Sequence, residues 1–256
     1  MTQRKNNLVL IKHIIIDDVS YPVYSKVNVR CENIIVRFNS DQKVFEVTSF
    51  RHISEADYNF YNLDRLLIKA FKKVNKRLNN AIVLNLTSEV EEHYISFFGK
   101  ETLLKWSFHY RDTSDGVYDK ENNILTIRCS IKCASDQNKR LKVFDKILTK
   151  FLEDYISKKQ LVYSALMQIN NPYFYVRMKK SAWGTHHKKY NVFSKLSYSL
   201  FLVALDPKYI DYVIVHELCH YFHMDHSEEF YKLGEFYYPN FKEYSDTINK
   251  HKINFW

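Results

Sequence analysis

A chain of 256 residues with 46% hydrophobic and 26% charged side chains has the material to bury a sizeable core, which excludes a disordered or low-complexity protein. Gly and Pro number four each, too few for a flexible Gly/Ser or Pro-rich linker, so a compact body is expected. The formal net charge of +9 permits an acidic partner such as nucleic acid or a membrane surface. Yet the lysines are spread along the chain, with only short clusters such as Lys72-Lys73, Lys179-Lys180 and Lys188-Lys189, and solvated faces account for them.

The 20 Tyr and 18 Phe are explained as well by a coding bias toward Lys, Asn, Ile, Tyr and Phe as by base-stacking surfaces. Leu8 to Ile16 is interrupted by Lys12 and His13, and no small-residue cleavage site follows it. It reads as a strand rather than a signal peptide. No apolar run approaches the roughly 18 residues that span a bilayer. Cys31, Cys129, Cys133 and Cys219 have neither disulfide-framework nor paired-knuckle spacing, so reduced thiols in a cytoplasmic protein are expected.

In chain order, the first strand is followed by alternating stretches at 21–30, 33–38 and 43–48, with a turn at 39–42, which predict an antiparallel meander. Ser54, Glu55 and Asp57 then open an amphipathic helix on which Phe60, Leu63, Leu67, Ala70, Phe71, Val74 and Leu78 recur at helical spacing. Further strands are predicted at 81–86, 94–98, 102–110 and 124–131, with turns at Asp115-Gly116 and 121–123. From Ser135-Asp136 to about Lys158 a long helix carries Leu141, Phe144, Ile147, Leu148, Phe151, Leu152 and Tyr155 on one side.

The composition shift near residue 134 is the candidate boundary. It divides a β-rich part with one long helix, 1–134, from a helical part, 135–256, as two domains or as layers of one. Strands at 173–178 and 191–196 follow, then an apolar stretch to Leu205 and Asp206-Pro207, a cap and first turn for another helix. The expected fold class is α+β.

That helix carries His216, Glu217 and His220 in the order H-E-x-x-H. Residues four apart share a helix face about 5–6 Å apart, close enough for two imidazoles to grip one metal ion. Glu217 sits about 100° further round, angled away from the ion but within reach of a water beside it, as a base rather than a ligand. A catalytic zinc usually takes three protein ligands and leaves one position for water. His223 would lie roughly 10 Å along the axis from His216, too far to share the ion. If the chain turns after Met224-Asp225 into a helix beginning at Glu228, with Asp225 or Ser227 as its cap, His226 swings back and becomes the third ligand. Glu235 and Glu243 are the alternatives. Cys219 points in another helical direction and reads as a buried thiol.

The order of a strand ending in Arg177-Met178-Lys179-Lys180, then Trp183-Gly184, Asp206-Pro207 and the H-E-x-x-H helix with His226 beyond resembles the YgjP-like zinc metallopeptidases, and more distantly the SprT-like group. The likeness is specific over 177–230 and architectural before it. It implies a zincin-like core with one zinc on His216, His220 and His226, with Glu217 as the base, and places Trp183 and Gly184 near the site. The family pattern Arg-Trp-Gly-Ser-Cys is here Ala182-Trp183-Gly184-Thr185-His186, which puts substrate choice in doubt. His186 and His187 are available as additional metal ligands but are read as exposed ahead of Lys188-Lys189, and Trp183 as either a core anchor or a substrate contact.

The expected activity is peptide hydrolysis by a zinc-activated water, with a peptide or protein as the substrate. Arg177, Tyr221, His223 or the pair Tyr237-Tyr238 is available as oxyanion donor, and an exposed strand edge near 190–196 as a place for extended substrate. Two rivals stand beside this reading. One is a nucleic-acid-associated protease acting on DNA-bound proteins, for which no nucleic-acid module is visible. The other is a structural zinc protein, whose mark would be loss of the base that Glu217 provides.

Overall fold

The computed structural model describes residues 8–79, 81–188 and 194–255. The side chain of Leu78, Lys189 and the start of the strand expected at 191–196 lie outside what is described. The architecture is mixed α+β, in two compact units, Met1–Ala81 and Ile82–Trp256.

The first unit holds β1 (Leu8–Ile16), β2 (Val19–Val27), β3 (Ile35–Asn39) and β4 (Val44–Ser49), followed by α1 (Glu55–Phe60) and α2 (Leu63–Asn79). The strands lie in the order β1-β2-β4-β3, with β2 and β4 parallel, so the expected meander is corrected. Strand β4 buries Phe45 and Val47 completely, whereas Ile35 of β3 is exposed. The better apolar alternation therefore takes the centre, and the connection 28–34 carries the chain out to the edge. The single helix expected from Ser54 is two. A capping box between Ser54 and Asp57 opens α1, and Asn62, in left-handed backbone at φ 47°, breaks the run. Phe60, expected on the buried face, ends α1 before that break and is 82% exposed. Leu63, Leu67 and Phe71 of α2 complete a core with Tyr21, Val23, Phe45 and Tyr58.

The second unit begins with β5 (Ile82–Leu86), which pairs in parallel with the last strand, β13 (His251–Phe255). Next come β6 (His93–Phe97), β7 (Lys100–His109), β8 (Asp115–Asp119) and β9 (Ile124–Ser130), in the sheet order β6-β7-β9-β8. Asp115-Gly116, expected as a turn, instead opens β8. A Cβ at Gly116 would overlap the Ile147 side chain, so the glycine lets helix and sheet approach closely. After α3 (Lys132–Ser135), Asp136 caps α4 (Gln137–Leu166), which buries Phe144, Ile147, Leu148 and Leu152. This helix runs well past Lys158 because Gln160 is itself buried and bonded to Asn171, the Pro172 carbonyl and the Tyr198 hydroxyl.

A three-stranded sheet follows, β10 (Tyr173–Arg177), β11 (Gly184–Lys188) and β12 (Ser194–Ser199), in the order β10-β12-β11. A 3-10 turn at Leu200–Ala204 leads to α5 (Pro207–Cys219), α6 (Glu228–Tyr237) and α7 (Phe241–Ile248). Helix α5 is held on almost every side, since Ile210, Val213, Ile214, Val215 and Leu218 are all buried, each worth about 1.5–3 kcal/mol of apolar burial. Its start is buttressed by the turn between β6 and β7. There Phe98 N–H donates to the Val203 carbonyl at 2.7 Å, and Gly99, at φ 75°, packs against Asp206 where a Cβ would overlap the backbone. No helix among the described residues is long and apolar enough to cross a membrane.

Candidate metal centre

The local chemistry of α5 follows its sequence. Asp206 Oδ1 accepts from Lys208 N–H at 3.0 Å, and Pro207 occupies the first position, where its missing N–H costs nothing. The helix ends at Cys219, and His220 keeps helical backbone as its C-cap, so His216 and His220 stand one turn apart. The chain then reverses into α6, with Ser227 at the N-cap position but making no side-chain cap bond. That reversal returns His226 to the helix. The Nε2 atoms of His216 and His226 are 3.1 Å apart, and one ligand atom from each of His216, His220 and His226 lies within 4.8 Å of the others. Beneath them the fully buried Phe230 packs its ring 5.0, 4.8 and 4.9 Å from the three imidazoles, centroid to centroid.

This donor set fits a metal ion. Tetrahedral ligation by imidazole at about 2.0–2.1 Å places neighbouring nitrogens about 3.3 Å apart, close to the observed Nε2 pair. Two of the outer nitrogens are also engaged. His220 Nδ1 lies 2.9 Å from the His223 carbonyl, which fixes a proton there and leaves Nε2 bare, and His216 Nδ1 lies 3.2 Å from the Tyr212 hydroxyl. Burial, aided by the neighbouring imidazoles, lowers His216 to about 3, and burial lowers His220 as well. Both rings are therefore neutral at physiological pH, the form that ligates.

Glu217 is 4% exposed, and no described residue donates a hydrogen bond to its carboxylate. Burial pushes its carboxyl up to about 8, a rise that Lys179 tempers. Its carboxylate lies against the backbone of Gly184, where a Cβ would overlap Oε1 and Cγ of the glutamate. Strand β11 is thus the wall that sets this side chain, and glycine is the residue that lets it come so close. The next residues tie the strand down. Lys179 Nζ donates to Thr185 Oγ1 at 2.9 Å, and His186 Nδ1 lies 2.9 Å from the Glu217 carbonyl. His186, read from sequence as exposed, is half-buried against α5, while His187 is exposed.

The site opens into a cleft of about 620 Å³ whose lining includes Trp183, Gly184, Tyr212, Met224, Tyr231 and Ile248. Trp183 both lines this cleft and packs against the core of the unit. Arg177 and Tyr221 are not among the lining residues. Arg177 lies exposed over the Tyr175 ring, and Tyr221 is exposed against Phe222. Glu235 caps α7 by accepting from Asn240 and Lys242 N–H, and Glu243 is exposed, so neither joins the histidines. Tyr238 donates to the Lys208 carbonyl, and His223 serves through its carbonyl. The strand edge expected near 190–196 is corrected over 194–196, its described part. Strand β12 is paired on both sides, and the open edge beside α5 belongs to β11.

Tyr212, Lys179 and Tyr231 are the site residues to which sequence reading gives no role, and His186 is one that it places at the surface. Only Tyr212 carried a signal, as it precedes His216 by one helical turn.

Two histidines from one turn and a third from the following loop, beside a buried carboxylate, form a cluster of the H-E-x-x-H class that could hold a metal ion. The family model described as YgjP-like, metallopeptidase domain matches residues 32–251, and the chain belongs to the YgjP-like family. No curated protein and no solved structure matches it.

Proposed function

We propose that this protein is a zinc-dependent peptidase in which His216, His220 and His226 hold one ion and Glu217 is the general base. The observation that carries this reading is the convergence of three imidazoles beside a buried carboxylate that has no hydrogen-bond donor among the described residues. An all-imidazole set suits zinc among the common ions. When bound, the ion supplies Lewis acidity, acidifying water and polarising a carbonyl oxygen.

The chain's own residues do the rest. Glu217 takes the proton of the attacking water and passes it to the leaving amine, a role suited to a carboxyl whose affinity for a proton is raised by burial. The open edge of β11 offers backbone groups to an extended substrate, which adds as a further strand and crosses above Glu217 at Gly184. Tyr231 is the cleft tyrosine whose hydroxyl is not bonded to another described residue, and it donates to the carbonyl oxygen as charge develops.

Metal analysis of the purified chain and peptide cleavage by the Glu217→Gln variant test the assignment together. A single bound zinc in both proteins, with cleavage lost only in the variant, is the expected result. Full activity in the variant removes Glu217 as the base, and a chain that binds no metal removes the whole reading.

A further inference from the structure

Charge is divided unevenly between the two units. Residues 1–81 hold 14 basic against 8 acidic side chains, or +6, while residues 82–256 hold 24 against 21, or +3. Helix α2 concentrates this excess, with six Lys or Arg and one acid. Leu63, Leu67 and Phe71 turn inward to the core, and Arg65, Lys69, Lys72 and Lys73 are exposed. At 100° per residue, Arg65, Lys69 and Lys72 fall within about 60° of one another, opposite the buried stripe.

These four cations are uncompensated. The acid on the helix, Asp64, accepts the Tyr58 hydroxyl at 2.5 Å. Elsewhere in the unit Lys26 pairs with Glu46 and Arg51 with Asp57, but no described carboxylate lies within ion-pair distance of Arg65, Lys69, Lys72 or Lys73. Surface helices ordinarily intersperse signs, and a row of like charges repels itself unless an anion faces it. At the N-terminal end of the row, Phe60 and Tyr61 are 82% and 47% exposed, with ring centroids 5.1 Å apart.

We propose that this face of the first unit binds the phosphodiester backbone of a nucleic acid, with Arg65, Lys69, Lys72 and Lys73 on successive phosphates and Phe60 and Tyr61 stacked on unpaired bases. From Arg65 to Lys73 the row spans about 12 Å of helix axis, and the long Arg and Lys side chains extend the reach of the track at both ends. Exposed aromatic rings beside a basic track are the means by which single strands are held without regard to sequence. An anionic membrane is the less fitting partner. The apolar stripe of α2 is spent on the unit's own core, and the exposed Leu66 and Ile68 flank the basic row on opposite sides rather than forming one face to insert. The site shares no residue with the candidate metal centre.

The test is fluorescence anisotropy of a labelled oligothymidylate titrated with the full chain at several salt concentrations. Binding should weaken with a log–log salt slope of about −3, four phosphates contributing about −0.7 each. The R65Q/K69Q/K72Q/K73Q variant should bind at least about tenfold more weakly, with a flattened slope and unchanged peptide cleavage. Phe60→Ala should weaken binding about fivefold or more. Should the fourfold variant lose its circular dichroism, Lys69→Gln and Lys72→Gln singly must each reduce the slope by about 0.7. No oligonucleotide binding at low salt, binding indifferent to these substitutions, or binding only to phosphatidylserine vesicles would overturn the proposal.

Discussion

Asp211 and Glu217 stand on the same helix, and both are more than nine-tenths buried, yet the two sides of α5 treat them in opposite ways. On the side facing α4, Asp211 accepts from the Tyr155 hydroxyl at 2.6 Å, Lys159 Nζ at 2.8 Å and the Tyr163 hydroxyl at 3.3 Å. Burial, together with this carboxylate, raises both tyrosine hydroxyls well above their ordinary range, so they remain donors. On the cleft side Glu217 has Gly184 against it and no donor among the described residues. A buried carboxylate with a full set of partners is an anchor. One left without a hydrogen-bond donor among the described residues, beside three convergent imidazoles, costs stability, which fits the base proposed above.

The two carboxylates should therefore fail in crossed fashion. Glu217→Gln is expected to lower turnover by about 10²–10⁴-fold, while thermal unfolding shows a melting temperature unchanged or raised, because a buried carboxyl that burial disfavours in its charged form has gone. Asp211→Ala leaves the Tyr155 and Tyr163 hydroxyls without their acceptor, while the partly exposed Lys159 can turn to water, and should cost about 2–4 kcal/mol in a denaturant titration. Such a chain should still bind metal at a temperature where it is folded. If Asp211→Ala were as harmless to stability as Glu217→Gln, the distinction between anchor and base would collapse.

Gly184→Ala sharpens the comparison without touching an ionisable group. The new methyl must displace the Glu217 carboxylate, and a misplacement of about 1 Å costs on the order of a hundredfold in rate. Steady-state kinetics should place that loss in kcat, and metal content should stay at the parent level. A smaller effect is expected at the other end of the site. Tyr212→Phe removes the partner of His216 Nδ1, and chelator competition should show metal affinity lowered by about 10–100-fold.

How far these features can be read from sequence follows the range of the contacts. The pairing of His216 with His220 is written in a four-residue spacing, and the return of His226 depends on a reversal short enough to be seen in Met224 to Ser227. Asp206-Pro207 likewise announces the start of α5, because caps are local. Gly184 against Glu217, Lys179 near the same carboxylate, His186 on the Glu217 carbonyl and Tyr231 in the cleft all depend on where β11 and α6 lie after folding, and no spacing encodes that. The sheets repeat the lesson. Strand β4 alternates cleanly and is legible, but its parallel pairing with β2 is not, and β13 declares itself only by finding β5 from the far end of the chain.

A third carboxylate tests the same logic at its weakest. Asp145 of α4 is half-buried, and its Oδ1 is buried without a hydrogen bond among the described residues. Burial pushes its carboxyl from 3.8 up to about 6. Because the folded-state value is the higher one, the native chain holds more protons than the unfolded chain between these two values. Stability contributed by the neutral form is present below about pH 4 and is lost as pH rises through about 6. Asp145→Asn, which cannot ionise, should remove that part of the decline and leave the variant more stable than the parent at neutral pH. Solvent screens a half-exposed site, so the gain should not exceed about 1 kcal/mol. Parallel denaturant titrations at several pH values across the window read it as the difference between the two slopes. Equal slopes for parent and variant would mean that the carboxylate is already compensated, and an unpartnered oxygen on this helix would then carry no cost.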